Sequence, residues 1–305
     1  MTTTSAEQAR PAIFGEVLFD HFPDGQRILG GAPFNVAWHL QGFGLKPLLI
    51  SRIGRDAPGA ELLERMERWG MDLRGLQQDG EHPTGQVEVR MREGGHDFHI
   101  LPDQAYDFIQ SEPALQLLEG NGLGMLYMGS LVCRGAVSRA SLDSLLRRLR
   151  LPIFVDINLR PPWWNLARVE GSLARARWAK LNDEELRELV GRGAADHEER
   201  QAQAELLRTR YDLELVILTL GARGADFISA GSRLHGDPVP VQQLVDTVGA
   251  GDAFSAVTLL GLTHGWPREV TLARSLAFAS RICAQRGATA EDRELYATLC
   301  RDWGL

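Results

Sequence analysis

Cysteine is scarce and odd in number: Cys133, Cys283 and Cys300 stand far apart in 305 residues. That excludes a disulfide framework or a CxxC metal clip, and free thiols in a reducing cytoplasm are the expectation. A basic excess is missing too. With 33 Lys and Arg against 40 Asp and Glu, the formal charge is -7, so no field gathers nucleic acid or an anionic membrane surface. No apolar run approaches the roughly 18 residues of a transmembrane helix. The N-terminal MTTTSAEQAR lacks the apolar centre of a signal peptide, and residues 1–11 are expected to form a mobile tail ahead of a single domain, 12–305. Three familiar loops are absent as well: GxxxxGK[ST], GxGxxG after a strand, and GxSxG. Their absence removes the main support for a Walker-type NTPase, a Rossmann dehydrogenase and an α/β-hydrolase.

What is present is an ordinary globular composition, 44% hydrophobic and 24% charged, with a clear rhythm. Short apolar runs such as PLLISRI (47–53), GMLYMGSL (124–131), PIFVDIN (152–158), RWAKLN (177–182) and LELVILTLG (213–221) alternate with longer amphipathic stretches. That pattern predicts βαβ units and a mostly parallel sheet with helices on both faces. Near-continuous apolar runs such as LVILTL fit strands buried on both sides. Residues 13–29 and 84–101 break the rhythm by alternating apolar and polar residues around the turn signals PDG and EGG. They predict a small antiparallel β-layer set into the larger domain. The charged run from Asp183 to Arg210 reads as the solvated face of helices.

One stretch raises a chemical question. DTVGAGDAF, Asp246 to Phe254, places Gly249, Ala250 and Gly251 just ahead of the apolar helix pattern AFSAVTLLGL. Small residues let backbone N–H groups converge, and a helix N-terminus adds partial positive charge, so the loop suits an anion such as a phosphoryl group. Asp252 at the junction can cap the helix or take a proton from a hydroxyl nucleophile. The motif alone leaves both roles open.

A second stretch bears on that choice. GGAPFNVAWHLQGFG (Gly30 to Gly44), followed by SRIGRDAPGAELLERMERWGMD, resembles the N-terminal signature of the ribokinase-like carbohydrate kinases, the phosphofructokinase-B group, and DTVGAGDAF resembles their C-terminal signature. Between and after them, DINLRPPWW (156–164), KLNDEEL (180–186), TLGARG (219–224) and ASRICAQRGA (279–288) also match, so the resemblance spans roughly 12–288. It implies a three-layer α/β/α domain holding ATP and a β-sheet lid, built from about 13–29 and 84–101, that closes over a sugar and often pairs to make a homodimer.

Carried over position by position, the resemblance makes Asp252 the base that activates the acceptor hydroxyl, with Gly249, Ala250 and Gly251 as the anion hole. Asn182 and Glu185 match the N-x-x-E element that organises Mg²⁺, through water, and the nucleotide phosphates; on the residues alone they read as an N-cap and a helix acid. Thr219, Gly221 and Gly224 match the T-x-G-x-x-G that borders ATP. Asp20 in GEVLFD, Gly31 and Asn35 match acceptor-binding positions, and Arg160 is similar to an arginine near the acceptor or the phosphates, with a structural ion pair to Asp156 or a helix acid as its bland alternative. Asp246 resembles a position beside a monovalent cation, K⁺, though a turn-forming aspartate is equally in keeping with its type. The combination of GEVLFD, GGAPFN, PTGQVEV and DINLRPPWW looks most like the bacterial fructokinase branch. The expected activity is ATP- and Mg²⁺-dependent phosphorylation of a primary hydroxyl, fructose first, with 2-keto-3-deoxygluconate as the rival acceptor. A non-catalytic sugar sensor on the same fold is the alternative from another class.

Overall fold

The structure, a computed structural model, describes residues 10–92, 95–119, 122–241 and 243–305. In chain order its strands are β1 (Arg10–Phe14), β2 (Leu18–His21), β3 (Arg27–Gly30), β4 (Leu48–Gly54), β5 (Leu76–Asp79), β6 (Gly85–Arg92), β7 (Gly95–Ile100), β8 (Leu123–Gly129), β9 (Ile153–Asp156), β10 (Trp178–Asn182), β11 (Leu215–Thr219), β12 (Ala225–Ser229) and β13 (Ser232–Gly236). Among the described residues, nine of them make one sheet in the order β13-β12-β11-β10-β9-β8-β1-β4-β5. It is parallel from β5 to β11, and β12 and β13 close one edge as antiparallel strands.

Alternation along each central strand explains why both faces are covered. Ile13, Leu49, Tyr127, Phe154 and Ile217 point into one apolar cluster, which includes Phe34, Leu62, Val257, Phe278 and Leu299 from the helices on that side. Their neighbours Phe14, Ile50, Met128, Val155 and Leu218 point into another, with Leu115, Leu145, Leu173 and Leu207. Because successive strand residues face opposite ways, a strand apolar at every position needs a helical layer on each side. The three-layer α/β/α expectation is met. No described helix is long and apolar enough to cross a membrane.

The other four strands form a separate small sheet, β3-β2-β6-β7, in which the hairpins β2–β3 and β6–β7 are joined by a parallel β2–β6 contact. Two expected boundaries shift. Arg10 and Pro11 belong to β1 and not to a tail, because Arg10 is anchored by an ion pair to Asp72 at 3.0 Å; residues 1–9 of the expected tail lie outside the described residues. Ile13 and Phe14, placed in the lid by their pattern, finish β1 in the large sheet, and the lid begins only at Leu18. The 13–29 segment thus crosses from one sheet to the other at Gly15–Val17. In the EGG turn, Glu93 and Gly94 lie outside the described residues.

The strand order also fixes where a ligand belongs. After β1 the chain builds β4 and β5 on one side, then returns to place β8 on the other. Open α/β sheets bind ligands outside the carboxyl ends of their strands beside such a reversal.

Candidate active site

A cleft of about 460 Å³ opens at that place, between the carboxyl ends of the large sheet and the small sheet. Glu16 follows β1, Asp156 ends β9, Asn182 ends β10 and Thr219 ends β11, and all four line it. Leu18, Val87, Phe98 and Ile100 of the small sheet roof it.

The far wall is the N-terminus of the helix Ala250–His264. Its residues Ala253 to Gly261 are all buried, as an all-round apolar helix requires. Gly249 caps it at φ 80°, a left-handed conformation, and a Cβ there would lie 2.3 Å from Ala288 Cβ. Only glycine meets both demands. The turn therefore aims the first helical N–H groups, with their partial positive charge, into the cleft. Asp252 stands in the first helical turn, and its Oδ2 accepts a hydrogen bond of 2.7 Å from Asn35 Nδ2. Burial raises its pKa to about 6; the Asn35 hydrogen bond and the charges of Lys180 and Arg160 restrain the rise, and the negative charge of Asp156 adds to it.

Asn35 itself arrives on the helix Ala32–Gly42. That helix starts close to the end of β1 because Gly31, at φ 104°, packs where a Cβ would come within 2.8 Å of Glu16 O. Glycine at this one position thus brings Asn35, Glu16 and Asp252 to one end of the cleft.

Beneath the Gly249–Gly251 turn lies a buried ion pair. Lys180 Nζ donates to Asp156 Oδ1 and Oδ2 at 3.0 and 2.9 Å, and Oδ2 also accepts from Ser255 Oγ at 2.7 Å and Tyr127 OH at 3.1 Å. A Cβ on Gly251 would lie 3.5 Å from Lys180 Nζ, so the ammonium sits directly against the loop. Burial alone would lower the Lys180 pKa, but the Asp156 carboxylate outweighs it and the net shift is upward.

Asn182 and Glu185 form a complete capping box. Asn182 Oδ1 accepts from Glu185 N at 2.9 Å and Glu185 Oε2 from Asn182 N at 2.8 Å. Glu185 Oε1 also accepts from Leu159 N at 2.8 Å, which ties the DINLR loop to this helix. Both side chains line the cleft. Asp246 has a similar stapling role: its oxygens accept from Val248 N at 3.0 Å and Gly287 N at 3.1 Å.

The Glu16 end of the cleft differs. Glu16 is 3% exposed, and its Oε2 is buried without a partner. Burial raises its pKa to about 7, opposed by its own backbone N–H and by the Arg160 charge. Asp20 is likewise raised to about 7 by burial, with Arg160 opposing and Asp246 reinforcing. Arg160 makes no ion pair among the described residues; the Asp156 partner considered for it is taken by Lys180. Its guanidinium, on the cleft wall, acts on Glu16, Asp20 and Asp252 together.

Of the residues singled out from the sequence, Asp252, Gly249, Gly251, Asn182, Glu185, Thr219, Asp20, Gly31, Asn35 and Arg160 all line this one cleft. Asp246 lines an adjoining hollow that shares Asp20, Phe98 and Val248 with it. Ala250 is absent from the lining, as are Gly221 and Gly224, which turn the chain from β11 into β12 through a Gly224 N to Gly221 O bond of 3.1 Å. Sequence reasoning missed Glu16 and Lys180. The usable signal was a charged residue inside or at the end of an apolar strand of a doubly covered sheet, which must pair, stay neutral or face a ligand.

Comparison with known proteins gives a consistent result. The model of the family described as pfkB family carbohydrate kinase matches residues 7–294. A fructokinase of Klebsiella pneumoniae is 28% identical over 295 residues, 92% of this chain and 93% of that one. Among solved structures, the fructokinase of Vibrio cholerae O395 with fructose, ADP and calcium ion bound superposes with a TM-score of 0.79 at 25% identity, covering 95% of this chain and 99% of that one. An uncharacterized sugar kinase from Pyrococcus horikoshii in complex with ATP gives 0.75 at 25% identity, over 91% and 93%.

Proposed function

The chain belongs to the pfkB family of carbohydrate kinases, and from that membership we propose ATP-dependent transfer of the γ-phosphoryl group to a primary hydroxyl of a small sugar, with fructose as the acceptor. The observation that carries the reading is the convergence of Asp252, the Gly249–Gly251 turn and a helix N-terminus on one cleft, with the unpartnered Glu16 Oε2 and Asn35 Oδ1 beside Asp252.

In this reading the acceptor hydroxyl lies against Asp252. The carboxylate takes its proton as the oxygen attacks the γ-phosphorus; the new O–P bond forms as the bond to ADP breaks. A base with a pKa near 6 is ionised at neutral pH yet more basic than a free aspartate, which suits general base catalysis. The N–H groups of Gly249 and Gly251 and the Lys180 ammonium face the charge that develops on the phosphoryl oxygens, in place before reaction; the Ala250 N–H, which donates to Thr247 O at 3.3 Å, would have to turn from it to join them. Asn182 and Thr219 meet the nucleotide, and the Gly221–Gly224 turn flanks it beyond the cleft.

The donor set suits Mg²⁺ held through water. Each Glu185 oxygen accepts a single backbone N–H and keeps a lone pair for a water molecule, and hard oxygen donors with partial hydration are what that ion prefers. Bound with ATP, Mg²⁺ supplies charge neutralisation of the phosphates. Asp246, with a free lone pair on each oxygen, is the side chain available to a monovalent cation such as K⁺ beside the loop.

The charge of the acceptor end favours a neutral sugar. Glu16, Asp20 and Asp252 face it; Arg160 acts on all three, Lys180 also on Asp252 and Arg134 also on Glu16. A sugar acid such as 2-keto-3-deoxygluconate would add its carboxylate to three acids that already share these cations. Turnover on fructose compared with 2-keto-3-deoxygluconate at equal concentrations tests this directly: faster turnover on the keto acid overturns it. Self-association through the lid, whose edge strands are β3 and β7, completes the proposal, and light scattering that returns a monomer removes it.

A further inference from the structure

At the antiparallel edge of the large sheet, away from the cleft, a buried carboxylate has no ordinary counter-charge. Asp226 of β12 is 0% exposed, and among the described residues it pairs with no Lys or Arg. Its Oδ1 lies 2.7 Å from His235 Nδ1 and 3.6 Å from His197 Nε2, and its Oδ2 is buried without a partner. Three elements meet here. His235 stands directly across from Asp226 in the β12–β13 pairing, and His197 is the first residue of the helix His197–Arg210. The two rings are 4.9 Å apart, edge to face, and one ligand atom from each of the three residues falls within 4.8 Å of the others.

We propose that His197, Asp226 and His235 bind one divalent transition-metal ion of the Zn²⁺ class. Two imidazoles with one carboxylate are borderline ligands that select Zn²⁺ over Mg²⁺ or Ca²⁺. With bonds of about 2.0–2.1 Å, ligand atoms of a tetrahedral ion stand roughly 3.4 Å apart. The 3.6 Å separation is already near that value, and the 2.7 Å hydrogen bond needs to open by less than an ångström. The ion gives the buried carboxylate a fixed positive partner where, among the described residues, no Lys or Arg does so. Both histidines are partly exposed, so an ion can enter and water can complete its shell. Asp237 Oδ1, exposed, lies 3.7 Å from His235 Nε2, the ring nitrogen that stays free when Nδ1 holds the ion, and can orient the ring from there.

The consequence is a clip. It fastens the start of the helix His197–Arg210 to the β12–β13 hairpin, one residue along from the Thr219↔Ala225 pair that borders the cleft. None of the three residues lines the cleft, so the inference does not depend on the sugar or on the kinase reaction.

The test is calorimetric titration of chelator-stripped, nucleotide-free protein with Zn²⁺ alone, paired with melting curves with and without the metal. His197→Gln and His235→Asn serve as variants, with Asp226→Asn as a near-isosteric third; each must melt cooperatively in metal-free buffer to count. Wild type is expected to bind one equivalent and to melt at a higher temperature with Zn²⁺. Each variant is expected to bind at least about tenfold more weakly, the loss that even an outer-shell partner causes, and to lose the thermal shift. Absence of a one-equivalent site in wild type overturns the inference. So does binding that survives unchanged in the histidine variants, since the ion would then lie elsewhere, as among the cleft carboxylates.

Discussion

At the Gly249 end of the cleft the protein satisfies its own buried carboxylates, whereas at the Glu16 end it leaves polar atoms open. Asp156 receives Lys180, Tyr127 and Ser255, and Glu185 receives two backbone N–H groups. Against this, Glu16 Oε2 and Asn35 Oδ1 are buried without partners, and Arg160 has no ion pair among the described residues. The two ends do different work. A site that stabilises developing phosphoryl charge must be rigid before ATP arrives, while a site that selects a polyol needs valences that only the right hydroxyls fill. In the proposed reaction, phosphoryl chemistry would thus rest on backbone and saturated side chains, and acceptor choice on a few unsatisfied ones.

The largest expected effect strikes the saturated end. Asp156→Ala strands the Lys180 ammonium in a buried place and should destabilise the fold by about 3–5 kcal/mol, measured by urea unfolding; a loss under about 1 kcal/mol would show that the pair is not the foundation of the loop. The open end should respond in binding. Glu16→Gln removes a charged hydrogen-bond acceptor worth about 1.5–3 kcal/mol, so KM for fructose should rise roughly 10–100-fold with KM for ATP unchanged. Equal shifts in both constants would erase the distinction between the ends.

The same substitution should act oppositely on stability. Burial raises the Glu16 pKa to about 7, above its unfolded value. Between the two values the folded state holds a proton that the unfolded chain has lost, so stability falls as pH rises across that interval and levels off above about 7. At pH 8 the native protein carries an ionised, buried carboxylate that Gln does not, and Glu16→Gln should melt higher by the equivalent of about 1–3 kcal/mol. The gain should vanish below the unfolded carboxyl range, where Glu16 is neutral in both states. A smaller effect concerns the base. Because Asp252 is raised to about 6, kcat at saturating fructose should hold near neutrality and fall about tenfold per unit below pH 6; a profile flat to pH 4.5 would remove Asp252 from the rate.

How much of this could be read beforehand differs between the ends in the same way. The anion turn is local: Gly249 to Asp252 and the apolar helix after it are one continuous stretch, and the Asn182–Glu185 capping box is set by a spacing of three. Those were legible, as was the layered sheet, since apolar strands and amphipathic helices alternate along the chain. The Lys180–Asp156 pair was not, because it depends on β10 lying beside β9 in a register that sets the two residues opposite each other. Glu16 was hidden for a related reason. Its burial follows from the crossing between two sheets at Gly15–Val17, and the alternation of 13–29 suggested a single lid segment there. Arg10 and Pro11 looked like tail because the groups that order Arg10, namely Asp72, Pro47 O and the paired strand at Leu123, are all distant in sequence.

The most direct test is turnover of Asp252→Asn set beside its ligand affinities. Asparagine keeps the size and the contact with Asn35 but cannot take the proton. The expected result is a kcat lower by about 10²–10⁴-fold, with fructose and ATP affinities by calorimetry close to wild type. Undiminished turnover, or a loss of sugar binding that alone explains the lost rate, would contradict Asp252 as the base.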